Sequence, residues 1–228
     1  GNNLYIDNPC KFNNSAPVPA TITFAAQGYF DTLNTKLNIR DSATFYLRNV
    51  ASPYTIVDSA KSVIDSITAS GTVTFANAVT GTYYLVVKGR NTLETWSKAG
   101  GESYVRGSAF SYNFTTAANK AYGNNLILKG SRYCIYSGDV VQNGAVDLDD
   151  IIQIFNSANL FTTGFNVNDL TGDRQVDLSD VIISFNNSSN FVLKQVPPGA
   201  GPLTKSVNSP KPLIIKNQVI EDIQKNDE

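Results

Sequence analysis

Hydrophobic and polar positions follow two different periods along the chain, and the change falls near residue 135. Before it, short runs rich in Val, Ile, Thr, Tyr and Phe alternate with clusters of Gly, Asn, Ser and Pro. The runs are "TITFAAQGYF" (21–30), "ATFYLRN" (43–49), "YTIVDSA" (54–60), "GTVTFANA" (71–78), "GTYYLVVKGR" (81–90), "SYNFTTA" (111–117) and "NLILKG" (125–130). β-Branched and aromatic side chains suit a pleated, half-buried surface, and the residues between them supply turns. Seven short strands with turn signals predict an immunoglobulin- or prealbumin-like β-sandwich over residues 1–135. After the change the period is helical. Leu148, Ile151, Ile152 and Phe155 fall at i, i+3, i+4 and i+7, and so do Leu178, Val181, Ile182 and Phe185. Each set predicts one apolar stripe on a short helix, and the two stripes are expected to pack together as a small core. The chain therefore reads as mainly β with a small α module at 136–195.

Each predicted helix follows a twelve-residue window with acids at the same places. "DVVQNGAVDLDD" (139–150) carries Asp139, Asn143, Asp147 and Asp150 at places 1, 5, 9 and 12. "DLTGDRQVDLSD" (169–180) carries Asp169, Asp173, Asp177 and Asp180 at the same places, with the Thr171 hydroxyl at place 3. One such window alone reads as a solvated acidic turn. Two in register, with Val146 and Val176 both at place 8, favour a bound ion. Carboxylates this close repel one another unless neutralised. Ca²⁺, which takes six to eight oxygen ligands, does this, and Gly144 at place 6 suits the sharp turn of a calcium loop.

The twin loop–helix repeats resemble a type I dockerin module over roughly Tyr136 to Val192. Such modules dock enzymes onto cohesin scaffolds. The resemblance implies Ca²⁺ ligands Asp139, Asn143, Asp147 and Asp150 in the first loop. It implies Asp169, Thr171, Asp173, Asp177 and Asp180 in the second, with the carbonyls of Ala145 and Gln175 at place 7. The sequence departs from the pattern at several points. Val141 at place 3 of the first loop offers no side-chain oxygen, so that site is expected to be the weaker. Arg174 stands where place 6 favours glycine, at a cost on the order of 1 kcal/mol if held left-handed. Places 10 and 11, a Ser/Thr pair in cohesin-binding dockerins, hold Leu148–Asp149 and Leu178–Ser179.

Two shorter resemblances lie in the first part of the chain. "GTVTFANAVTGTYYLVVKG" is similar to the prealbumin-like sandwiches of bacterial adhesins, some of which carry a Lys–Asn isopeptide bond; Lys88 and Glu94 are present, but no bond is assigned. "DTL", "DSA", "DSA" and "DSI" resemble the O-glycosylation signal of Bacteroidetes-type secreted proteins, which implies Thr32, Ser42, Ser59 and Ser66 as glycan carriers. Trp96, the only tryptophan, reads either as a carbohydrate platform or as a loop residue covering the end of the sandwich.

At 228 residues the chain is long enough for one large domain or two small ones. Charged residues make up 16% and net charge is −1, so neither nucleic acid nor an acidic membrane is an indicated partner. No apolar run approaches the ~18 residues of a membrane span. A chain that begins at Gly1 without any methionine is expected of a processed product or a fragment. Low charge and hydroxyl-rich strands point to an extracellular or cell-surface home. Of the two cysteines, Cys10 and Cys134, a secreted chain is expected to make a disulfide, and two buried thiols are the alternative. The chain-entropy model gives roughly 4–5 kcal/mol for so long a loop. "VPPGAGP" (196–202) has the composition of a linker, and the apolar residues of 211–228 suit a strand added to a sheet edge, in this chain or in another copy. With no histidine, no phosphate loop and no nucleophile motif, an enzyme is not expected. The sequence favours a calcium-stabilised filament or surface-layer subunit that polymerises through 211–228. A docking module for a cohesin-like partner comes next, and a carbohydrate-binding accessory protein third.

Overall fold

The computed structural model describes residues 15–200. Cys10 and the apolar tail at 211–228 lie outside the described residues. Every one of the seven expected strand segments contains a strand. β1 (Ala20–Thr23) lies between β6 (Ser70–Val73), antiparallel to it, and β10 (Phe110–Asn113), parallel to it. The second sheet runs β5 (Ile56–Ile64), β4 (Asp41–Asn49), β7 (Gly81–Lys88) and β8 (Thr95–Trp96), with β9 (Glu102–Tyr104) also on β7. Short ribbons pair β2 (Phe30–Asp31) with β3 (Lys36–Leu37) and β11 (Ile127–Lys129) with β12 (Arg132–Cys134).

Alternation places the core. Along β4, Ala43, Phe45 and Leu47 are buried while Ser42, Thr44, Tyr46 and Arg48 are half-buried. β7 breaks the alternation because both of its faces are covered. Tyr83, Leu85 and Val87 enter the main core with Phe45, Phe75 and Tyr104. Tyr84 and Val86 face a second cluster with Tyr54 and Trp96. A strand covered on both sides reads as a continuous apolar run, which explains "TYYLVV".

The chain leaves the sandwich through Ile135, which bridges Ala26, and builds α1 (Leu148–Asn159) and α2 (Leu178–Ser189). No helix among the described residues is long and apolar enough to cross a membrane. The backbone leaving each helix pairs with the loop of the other repeat. Gly164 N donates to Arg174 O and Val176 N to Thr162 O, while Val146 N donates to Val192 O and Lys194 N to Gly144 O. This crosswise pairing relates the repeats by an approximate two-fold.

Most of the expected stripe stays out of the core, although Val181 packs against it. Leu148, Ile152 and Phe155 are 64%, 48% and 56% exposed, and Leu178, Ile182 and Phe185 are 67%, 48% and 57% exposed. The module core is instead Val140, Ile154, Leu170 and Val176, flanked by Ala158, Val167, Val181 and Ile183. Loop residues fill the space between the helices, so periodicity marked an apolar face correctly but assigned it the wrong neighbour. A polar seam joins module to sandwich. Gln27 and Asn187 exchange amide hydrogen bonds of 3.3 and 2.7 Å, and Asn187 also donates to Ser137 O at 2.7 Å. Gly28 packs so closely that a Cβ there would lie 1.9 Å from Leu170 O.

Phe45→Ala, in the middle of β4 and fully buried, is predicted to cost about 3–5 kcal/mol. Leu33→Ser, at a site 92% exposed, is predicted to stay within about 0.5 kcal/mol. Urea unfolding of both variants checks the contrast.

Candidate metal centre

The two acidic loops fold alike because each ends in the same capping device. Asp147 and Asp177 are the N-caps of α1 and α2, with φ/ψ of −139/−166 and −138/−166. Their side chains accept from Asp149 N and Ser179 N. Asp150 and Asp180, three residues on, reach back to the cap amides. These boxes satisfy amides that helix starts leave orphaned.

The place-12 acids also clamp the loop start. Asp150 Oδ1 accepts Val140 N at 2.8 Å and Val141 N at 3.0 Å; Asp180 Oδ1 accepts Leu170 N at 2.7 Å and Thr171 N at 2.9 Å. The place-1 acids bind the middle of each loop. Asp139 accepts Asn143 N and Gly144 N, and Asp169 accepts Gly172 N, Arg174 N and the Thr171 hydroxyl. Place 6 is left-handed in both loops, Gly144 at φ 88 and Arg174 at φ 72.

Asp139, Asp150, Asp169 and Asp180 are at most 1% exposed. None of the ion pairs among the described residues involves them. Burial, and then the neighbouring Asp150 charge, pushes the Asp139 carboxyl up to about 7. Burial raises Asp150 and Asp180 as well, against the lowering effect of their amide donors. Asn143, Asp173, Gln175 and Asp177 lie at the surface, while Ala145 is buried and bridges Leu193. Asn143 Oδ1 and Asp173 Oδ1 each accept an amide two residues on. Among the described residues no three His, Cys, Asp or Glu side chains stand together as a metal cluster. The structure thus brings together the place-1 and place-12 acids of each loop, with the Thr171 hydroxyl on Asp169, while Asn143, Asp147, Asp173 and Asp177 accept nearby backbone amides. The donor set fits a hard cation: carboxylates, a hydroxyl and carbonyls, with neither imidazole nor thiolate.

Residues of the sandwich that no motif signalled hold the second loop. Asn91, fully buried, donates to Val167 O at 3.1 Å and Asp169 O at 2.9 Å. Asn38 donates to Thr171 O at 2.8 Å. Arg90 bonds Asp41, Tyr29 and Asn166 O and stacks on Phe165 at 3.9 Å.

The remaining expected sites resolve individually. Trp96 is 1% exposed, with its Nε1 donating to Glu94, so it presents no carbohydrate platform. Thr32 and Ser59 are exposed, and Ser42 and Ser66 half-buried. The aspartates before them have structural work: Asp31 and Asp65 cap turns, Asp58 binds the amides of Asn77 and Ala78, and Asp41 pairs with Arg90. Cys134 is buried, and the expected bridge from it to Cys10 falls on a residue outside the described ones.

No protein-family profile matches the chain, and no curated protein matches it. Solved structures similar to it include chains from two type II cohesin–X-dockerin complexes of Acetivibrio cellulolyticus. One, a C-terminal interface mutant, shows 14% identity and a TM-score of 0.45, with 76% of this chain and 99% of that chain covered. The other, an N-terminal interface mutant, shows 17% identity and a TM-score of 0.39, with the same 76% and 99% coverage. Likeness at this level assigns the chain neither a fold nor a role.

Asp180→Ala removes the acceptor of three backbone amides. Measured by urea unfolding in excess chelator, it is predicted to cost at least about 2 kcal/mol, against under about 0.5 kcal/mol for Val141→Ala. Burial also pushes the Cys134 thiol from 9.0 up to about 12. The folded chain therefore holds that proton to higher pH than the unfolded chain. Its contribution to stability is complete below pH 9.0 and fades as pH climbs toward 12. In reduced native protein at pH 8, iodoacetamide is predicted to leave Cys134 unmodified until denaturant is added.

Proposed function

We propose that the chain is an extracellular docking protein rather than an enzyme: a β-sandwich carrying a calcium-organised, dockerin-like pair of repeats that binds a cohesin-like partner. The observation that carries the reading is a doubled apolar surface. Leu148, Ile152 and Phe155 on α1 have counterparts thirty positions on in Leu178, Ile182 and Phe185 on α2, and Phe161 has Phe191. Members of each pair are exposed to similar degrees, Phe161 and Phe191 at 85% and 75%. Large exposed apolar side chains grouped on regular elements mark an interaction site. Repetition by an approximate two-fold offers the same kind of apolar surface on both helices.

Calcium supplies the charge balance. Asp139, Asn143, Asp147 and Asp150, with the Ala145 carbonyl, would hold one ion. Asp169, Thr171, Asp173, Asp177 and Asp180, with the Gln175 carbonyl, would hold the other, and the first site is weaker for want of a place-3 oxygen. Neutralising buried carboxylates stabilises the loops that orient both helices. The filament reading rests on residues 211–228, which lie outside the described residues, so the exposed helix faces move the docking reading ahead of it. The carbohydrate reading loses its support with the burial of Trp96.

Calcium at 100 times its Kd is predicted to stabilise the chain by about 2.7 kcal/mol per site, which raises Tm by several degrees for a chain of this size. Coincident melting curves in calcium and in excess EDTA refute the metal reading. For docking, Phe155→Ser with Phe185→Ser should leave Tm within about 2 °C and weaken binding to a type I or type II cohesin by at least about 30-fold, as for loss of an interface anchor. A native chain that binds neither cohesin at micromolar concentration overturns the docking reading and leaves the calcium result standing.

A further inference from the structure

The segment that composition reads as a linker is seated in the sandwich. Val196 and Ala200 pack against the cluster of Tyr54, Tyr84, Val86 and Trp96, and Pro197 is buried. Ala200 N donates to Pro197 O at 3.0 Å, and Gly199 sits at φ 83. Proline at the second position and a positive φ at the third are the marks of a type II turn. The Tyr54 hydroxyl donates to Pro198 O at 3.0 Å.

The receiving surface is built to hold this turn. Tyr54, Tyr84 and Trp96 form a box with ring centroids 5.5–6.2 Å apart, and Tyr122 extends it at 6.1 Å from Tyr84. The Arg48 guanidinium lies 5.2 Å from the Trp96 ring centre and donates to Tyr54 O at 3.1 Å. Its Nε is buried without a partner. Tyr54 is held at φ 55, a left-handed conformation that costs a non-glycine residue on the order of 1 kcal/mol. The turn that Tyr54 closes by donating its N–H to Ala51 O at 2.8 Å holds this conformation, and from it the tyrosine hydroxyl meets a carbonyl on the facing segment. Aromatic rings against a proline-containing turn, with a tyrosine hydroxyl on its carbonyl, share the chemistry by which proline-rich peptides are recognised, because proline preorders the segment and lessens the entropy lost on binding.

We propose that the Tyr54–Tyr84–Trp96 box is a proline-turn recognition site whose ligand is the chain's own Val196–Ala200 segment, latched in cis. The latch returns the end of the module to the sandwich. Residues 192–194 pair with the first acidic loop just before it, so module and sandwich are tied on both sides of the repeats. The site does not depend on the calcium or docking readings.

Trp96 is the only tryptophan, so its fluorescence reports the box directly. In the full chain with 196–200 replaced by Gly-Ser-Gly-Ser-Gly, the synthetic peptide KQVPPGAG is predicted to shift Trp96 emission saturably, while the native chain, its box filled, does not respond. Alanine in place of both prolines in the peptide should weaken binding at least about ten-fold. Tyr54→Phe in the replaced chain should weaken it about five-fold, the value of one hydrogen bond. A replaced chain that is folded by circular dichroism yet shows no peptide response overturns the proposal, as does an equal response from the native chain. If the replacement unfolds the protein, Tyr54→Phe in the otherwise native chain decides. Acrylamide quenching of Trp96 at least doubles if the turn is latched through that hydroxyl, and unchanged quenching overturns the proposal. Peptide-free dimers of the native chain at high concentration that disappear with Tyr54→Phe also support it, since they show the same turn taken in trans.

Discussion

Four buried aspartate carboxylates, two per loop, are the constraint around which the second half of the molecule is arranged. Asp150 and Asp180 each gather three backbone amides, and Asp139 and Asp169 gather the middle of the same loops. Amide dipoles replace part of the water that burial removes, but they carry no net charge. Burial therefore still raises three of these groups, and no described ion pair reaches any of the four. The amides leave that charge balance unfinished, and on the proposed reading a hard cation at each loop would complete it. The capping boxes make the helix starts part of the same arrangement, so whatever orders the loops also orders the helix faces.

The sandwich does more than carry the repeats. Asn38, Arg90 and Asn91 bond four carbonyls of residues 166–171, and Gln27 with Ser137 locks Asn187 of α2. Gly28 permits the approach, because any side chain there would strike Leu170 O. With its inner helix faces held by this seam and by the loops, the module is left presenting its apolar residues outward. Exposure of those residues is thus a consequence of how the module is mounted.

Much of this was legible along the chain, and the reason is locality. Twelve consecutive residues contain a whole loop, so the places of Asp139, Asp150, Asp169 and Asp180 could be read directly, as could the left-handed turn at Arg174. Strand segments were legible because alternation is a property of neighbours. The two-residue strands β2, β3 and β8 escaped notice, since pairs that short carry no periodicity. The turn-capping and amide-binding roles of the aspartates in the Asp-Ser/Thr tripeptides were not legible, because they depend on backbone shape that a tripeptide does not encode.

By itself the sequence determined the sandwich-then-repeats order, the twin acidic loops, the helix that follows each, and the existence of an apolar stripe on both helices. Only the tertiary structure decided what those stripes face. Periodicity places side chains on one side of a helix, but whether that side meets the core or water depends on what else fills the space, and here Val140, Leu170 and Val176 from the loops fill it first. The same holds for Trp96, for Asn91 and for the proline turn at 196–200. Each owes its place to partners dozens of residues distant, brought near by the closing of the two sheets and by the return of the chain from the second helix.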